Sequence, residues 1–192
     1  MAQPRSNRTR RKSSVRSHDH RSWGRTGRTT PAKNRTRCVL LRRAYRIVKR
    51  RHEKQAFSGE GAKLAGGRWN SPGKRAVYLS STLSLAAMEI LVHLGAAAAR
   101  LHYVYFEIEI PDSVAIVLLT VRPRGWGQEP PSPASQHAGD RWLLANRSAL
   151  LDVPSAIIPT ETNLVLNPAH ADAGKLRIGT PRPFQFDPRM WK

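Results

Sequence analysis

Between Thr82 and about Ala98 the chain runs TLSLAAMEILVHLGAAA, a stretch whose spacing predicts a helix covered on most of its sides. Leu83, Leu85, Ala86, Ala87, Met88, Ile90, Leu91, Val92 and Leu94 leave it no broad polar face. Thr82 or Ser81 supplies the N-cap. Glu89 and His93 interrupt the run, which falls short of the roughly 20 apolar residues of a membrane span, so the helix belongs to a globular core. Glu89 is the anomaly in it, because a carboxylate is rarely buried unless it is paired. Two arrangements satisfy it. His93 lies one turn on and can pair with it as a structural contact, or Glu89 opens onto a cleft with its charge aimed at something cationic.

The elements around this helix are short. AYRIVKR reads as a first strand, and EKQAFSGEGAKLAGG as a loop with a short helix stopped by Gly66 and Gly67. RAVYLS reads as a second strand, entered through the turn residues Asn70, Ser71, Pro72 and Gly73. In YVYFEIEIP, Val104, Phe106, Ile108 and Ile110 alternate with Tyr103, Tyr105, Glu107 and Glu109, the mark of a half-buried strand. SVAIVLL continues the sheet, PRGWGQEPPSPASQHAGD is a loop with a helix beginning near Asp140, and VPSAIIP, NLVLNP and KLRIG add three short strands before PFQFDP closes the domain. Strands and helices do not alternate as βαβ units would. The predicted class is therefore α+β.

The chain has 192 residues, 40% of them hydrophobic, which suffices for one domain with its own core and not for two. Its net charge of +20 is unevenly spread. Residues 1–37 carry 12 Lys or Arg against Asp19 alone, leaving 21 basic and 12 acidic residues for the remainder. This arm of Arg, Ser, Thr and Gly has almost nothing to bury and is expected to be disordered, with the folded domain spanning 38–192. An Arg-rich arm can tether nucleic acid or an acidic partner through counterion release. Equally, the arm can reflect a start codon placed too far upstream, since Val39, Leu40 or Leu41 could each be encoded by an alternative bacterial start. Cys38 is the only cysteine, so no internal disulfide forms, and no charged-then-apolar leader opens the sequence; the cytoplasm is the expected compartment.

GGRWNSPG is the second segment that points to chemistry. Two glycines before Arg68 and a turn after it let the backbone approach a ligand while the guanidinium forks onto a phosphate. Taken alone, a helix C-cap followed by an exposed arginine explains it as well. Gly59 and Gly61 match half of a GxGxxG fingerprint, but Leu64 takes the last glycine's place and no strand–turn–helix frame surrounds them, which excludes a Rossmann site. The seven histidines lack paired spacing, so no metal is expected, and no GxSxG elbow is present.

These segments together resemble a known family. AFSGEGAKLAGGRWNSPGKRAVYLSSTLSLAAMEILVHL resembles the opening half of RES domains, and GDRWL, VPSAIIPTETNLVLNPAH and PFQFDPRM resemble the closing half in the same order, over about residues 40–190. The arginine, glutamate and serine for which the family is named fall on Arg68, Glu89 and Ser155, and a functional tyrosine on Tyr78. The resemblance, to RES-domain toxins of RES–Xre type II toxin–antitoxin pairs, implies a compact fold similar to ADP-ribosyltransferases, with short strands in a split sheet and flanking helices. It implies NAD as substrate rather than cofactor, cleaved at its nicotinamide–ribose bond, and a cognate Xre-like antitoxin that occludes the active site. Arg68, Tyr78, Ser155 and Asn163 would contact the dinucleotide, with Arg68 on the diphosphate, Tyr78 stacked on nicotinamide or ribose, and Glu89 stabilising charge on the ribose. Phosphate, water or a protein side chain could each accept the ADP-ribosyl group. The basic arm is foreign to typical members.

Overall fold

The computed structural model describes residues 42–191 apart from 96 and 98–100. The basic arm and Cys38 lie outside the described residues.

Among the described residues eight strands form one sheet. They are β1 (Arg42–Lys49), β2 (Val77–Ser80), β3 (Tyr103–Ile110), β4 (Ile116–Leu118), β5 (Leu150–Pro154), β6 (Thr162–Leu166), β7 (Arg177–Ile178) and β8 (Arg182–Phe184). Their order is β4-β5-β6-β2-β1-β3-β7, with β8 also on β3. Every pairing is antiparallel except β4 on β5. Three α-helices accompany them among the described residues: α1 (Glu60–Ala65), α2 (Leu83–Leu94) and α3 (Pro133–Ala145).

The sheet is nearly split. β1 and β3 match over eight residue pairs, and β2 and β6 over four, whereas β1 meets β2 only through Tyr45 and Ser80. Side-chain alternation then distributes the core. Val77, Leu79, Val104, Phe106, Ile108, Leu150, Leu164 and Leu166 fill one cluster inside the curl of the sheet. On the opposite face, α2 packs Ala86 against Ile47 and Tyr103 of one half. Trp69 and Trp142 of α3 cover Leu151, Val153 and Val165 of the other half. The predicted α+β class and flanking helices are present, and the expected split of the sheet takes the form of a single-pair seam in one continuous sheet.

Four expectations change in detail. α2 ends at Leu94, where Gly95 takes a positive φ of 50°, and Ala98, the expected end, lies outside the described residues. Nor is α2 covered on most sides: Leu85 and Ala86 are buried, but Val92 is 59% exposed, because the sheet meets only one face of the helix. α3 starts seven residues before Asp140, capped by Ser132, whose hydroxyl accepts from the Ser135 N–H, with Pro133 in the first turn. The prolines that read as loop are a helix start. Finally, β5 ends at Pro154, so Ser155 to Pro159 form a turn rather than strand.

Candidate active site

A cavity of about 630 Å³ opens where the two halves of the sheet meet, lined by Gly67 and Arg68 after α1, Tyr78 of β2, Glu89 of α2 and Asn163 of β6. Its position follows from the split: strands joined by a single residue pair leave room between them that a full ladder would close.

Glu89 lies one turn beyond Leu85 and Ala86, the buried pair of α2, and so shares their inward face. At that level the inward face meets the cavity. One carboxylate oxygen, Oε1, accepts from Asn163 Nδ2 at 2.6 Å and from Ser155 Oγ at 3.2 Å. Ser155 is fully buried, and its hydroxyl accepts the Ile157 and Ile158 N–H groups at 3.1 Å each. Those two donors turn its proton toward Glu89. Hydrogen bonds to a charged group contribute about 1.5–3 kcal/mol each, so the pair fixes the carboxylate firmly. Among the described residues Glu89 makes no ion pair with His93, although both line the cavity.

The turn after α1 is built around Tyr78. Its hydroxyl accepts from the Trp69 N–H at 2.9 Å and donates to Asn70 Oδ1 at 2.7 Å. A Cβ on Gly67 would collide with that hydroxyl, so the close approach this glycine permits is to Tyr78. Burial pushes the Tyr78 phenol well above its usual range, despite the opposing Trp69 N–H bond. Tyr78 is thus a neutral wall of the cavity. Arg68 is engaged too: Nη1 donates to the Trp126 and Gln128 carbonyls at 2.8 and 2.6 Å, and Nη2 reaches Glu129 at 3.1 Å. Its guanidinium ties the loop of residues 123–131 to the cavity wall.

Arg46 brings a second guanidinium to the same cavity. It occupies an inward position of β1 between the core residues Ala44 and Val48. Nε donates to the Ala56 carbonyl at 2.7 Å and Nη1 to the Tyr78 carbonyl at 2.6 Å, bridging the seam between β1 and β2. Burial lowers its pKa to about 10, which still leaves a cation at neutral pH. Among the described residues no carboxylate pairs with it. A half-buried cation that lines the cavity and makes no ion pair among the described residues favours an anionic ligand.

A model of the RES domain matches residues 43–187, nearly all of the described chain. The chain belongs to the RES-domain family. It is 42% identical over 145 residues to a Prs ADP-ribosylating toxin of Sphingobium sp., covering 73% of this chain and 90% of the relative. It is also 42% identical over 149 residues to Toxin Res of Yersinia enterocolitica, covering 76% and 97%. Its fold is similar to one solved in the MbcT–MbcA toxin–antitoxin complex of M. tuberculosis, with a TM-score of 0.64 at 22% identity over 76% of this chain and 85% of that one.

Within this RES domain the split sheet brings Arg68, Tyr78, Glu89 and Asn163 to one cavity, and sets Ser155 directly behind Glu89. The hydroxyl of Ser155, for which a nucleotide contact is expected, donates to the Glu89 carboxylate. Arg46 went unnoticed in the sequence. Its signal was an arginine at an inward position of AYRIV, where alternation calls for an apolar side chain. Among the described residues no cluster of His, Cys, Asp or Glu could hold a metal, and no helix is long and apolar enough to cross a membrane.

Proposed function

We propose that this RES domain is the toxin of a toxin–antitoxin pair and consumes NAD by breaking its nicotinamide–ribose bond. One observation carries the proposal: a carboxylate tethered through Oε1 alone lines the same cavity as a guanidinium that has no counter-ion among the described residues. Nicotinamide is cationic in NAD and leaves as a neutral base with the electron pair of the broken C–N bond, so positive charge grows on the ribose. Glu89 stabilises that charge more in the transition state than in the bound substrate. Arg46 holds the diphosphate, and Tyr78 stacks on the nicotinamide half. Arg68 keeps the 123–131 loop in place as a wall. Asn163, through its Nδ2 donor, holds the Glu89 carboxylate at the cavity wall. Ser155 positions Glu89.

The acceptor oxygen then bonds to the ribose carbon that nicotinamide has left. Phosphate yields a 1-phosphorylated ADP-ribose, and water yields ADP-ribose with release of a proton. Transfer to a protein is the second reading, and the relative named as an ADP-ribosylating toxin favours it. The antitoxin is expected to cover the cavity mouth. Leu64 on α1 and Val92 on α2, 79% and 59% exposed, stand on the two helices that border the cavity and give such a partner apolar anchors.

Incubating the antitoxin-free protein with NAD, with and without phosphate, and separating the products tests the reaction. Nicotinamide release is expected, and Glu89→Gln, which keeps the shape and removes the charge, should lower turnover on the order of 100-fold or more. Intact NAD in both buffers overturns the reading. Radiolabel from NAD appearing on a lysate protein would identify the acceptor as protein.

A further inference from the structure

β1 leaves the sheet at a concentration of positive charge. Lys49 ends the strand, Arg50, Arg51, His52 and Lys54 follow in a 3-10 turn (Arg50–Gln55), and Glu53 is the sole acid between residues 43 and 59. The Arg50 N–H donates to the His102 carbonyl at 2.9 Å, one step past the Lys49–Tyr103 pair that ends the β1–β3 ladder. That bond holds the start of the turn against the entry to β3. A hollow of about 500 Å³ lies there, lined by Lys49, Arg50, Arg51, Leu101 and His102. None of these five residues lines the cavity that contains Glu89.

The patch differs from an ordinary solvated face in its pairing. Arg43, earlier on the same strand, has Glu107 at 3.1 Å, but among the described residues no ion pair includes Lys49, Arg50 or Arg51, and no carboxylate lines the hollow. Arg51 donates from Nε to His52 Nε2 at 3.1 Å, which leaves its two Nη groups as an open fork. Like charges held together repel until an anion neutralises them. We infer that this hollow docks an acidic segment of a partner protein, with Asp or Glu side chains on the guanidinium forks and an apolar side chain against Leu101. A planar fork matches a carboxylate two hydrogen bonds at a time. The volume falls within the range of pockets that seat a small ligand, so a few side chains fill it. Nucleic acid fits it less well. Tight duplex binding draws on a row of roughly 6–10 phosphate contacts, whereas these cations crowd one hollow. A single strand needs aromatic faces on which its bases stack, and no Phe, Tyr or Trp lines the wall.

Fluorescence anisotropy of a labelled oligoglutamate peptide with the full chain tests the assignment. The wild type should bind it, and Arg50→Glu and Arg51→Glu should each weaken binding by roughly tenfold. Both positions are exposed, so neither change should lower Tm. Arg141→Glu alters the net charge equally at an exposed position of α3 and should keep binding within about twofold, since screening confines the effect of a surface charge to its surroundings. Equal losses in all three variants would mean that net charge alone matters, and no loss in any of them that the peptide binds elsewhere; either overturns the site. Carbodiimide coupling of peptide carboxylates to lysine amines reads the position directly. Lys49 should be linked to the peptide, and coupling confined to Lys12 and Lys33 of the basic arm counts against the hollow. A duplex oligonucleotide separates the two classes of macromolecule: if Arg50→Glu and Arg51→Glu weaken its binding as much as that of the peptide, the surface is a nucleic-acid one and the polypeptide assignment falls.

Discussion

Tyr103 differs from Tyr78 in what its hydroxyl finds. Tyr78 has two hydrogen bonds, whereas the Tyr103 hydroxyl is buried with no partner among the described residues, and burial raises its pKa. Its ring packs edge-on against Phe186 at 5.6 Å, a contact that phenylalanine would keep. A buried hydroxyl without a bond costs about 1–3 kcal/mol, so Tyr103→Phe should leave the domain as stable or more so, by about 1 kcal/mol. For a domain of this size that is a rise of about 2–4 °C in Tm, readable by thermal unfolding. A fall in Tm would show that the hydroxyl has a partner. Tyr78→Phe is expected to move the other way, because it strands the Trp69 N–H and Asn70 together.

At the scale of elements, the site depends on how closely α3 approaches the turn after α1. A Cβ on Gly139 would overlap the Trp69 carbonyl, and Asp140 beside it accepts the Ser71 N–H at 3.0 Å. Helix and turn therefore touch backbone to backbone. Alanine is a better helix former than glycine by about 1 kcal/mol, yet Gly139→Ala should destabilise, since forcing extra atoms into a packed contact costs typically 1–3 kcal/mol. The urea midpoint should drop, and NAD turnover with it, because the displaced turn carries Arg68 and the partners of Tyr78. Gly174→Ala, where a Cβ meets open space, is the control and should change neither. If Gly139→Ala proves neutral in both measurements, the turn does not depend on α3.

At the scale of the whole molecule, charge and chemistry are carried by different parts of the chain. Every residue assigned to the cavity lies within the RES match at 43–187, while 12 of the 33 basic residues belong to positions 1–37. Deleting residues 1–37 is therefore expected to leave NAD cleavage within about twofold while removing salt-dependent DNA binding. Loss of NAD turnover on deletion would show that the arm takes part in the reaction.

The α+β class, α1 with its glycine stop, the Thr82 cap and the inward alternation of β3 were legible because each depends on neighbours in sequence. Glu89 was legible for the same reason, as a charge that local periodicity places on an apolar face. The start of α3 was also local, yet the prolines around Ser132 masked it. Arg46 and the role of Ser155 were not legible. An arginine in a strand acquires meaning only when β1 and β2 part around it, and a serine after Pro154 only when its turn meets α2, 66 residues away in the chain. Short-range spacing set the elements and singled out the carboxylate; the single-pair seam in the sheet, made by strands distant in sequence, decided where the cavity opens and which cation faces it.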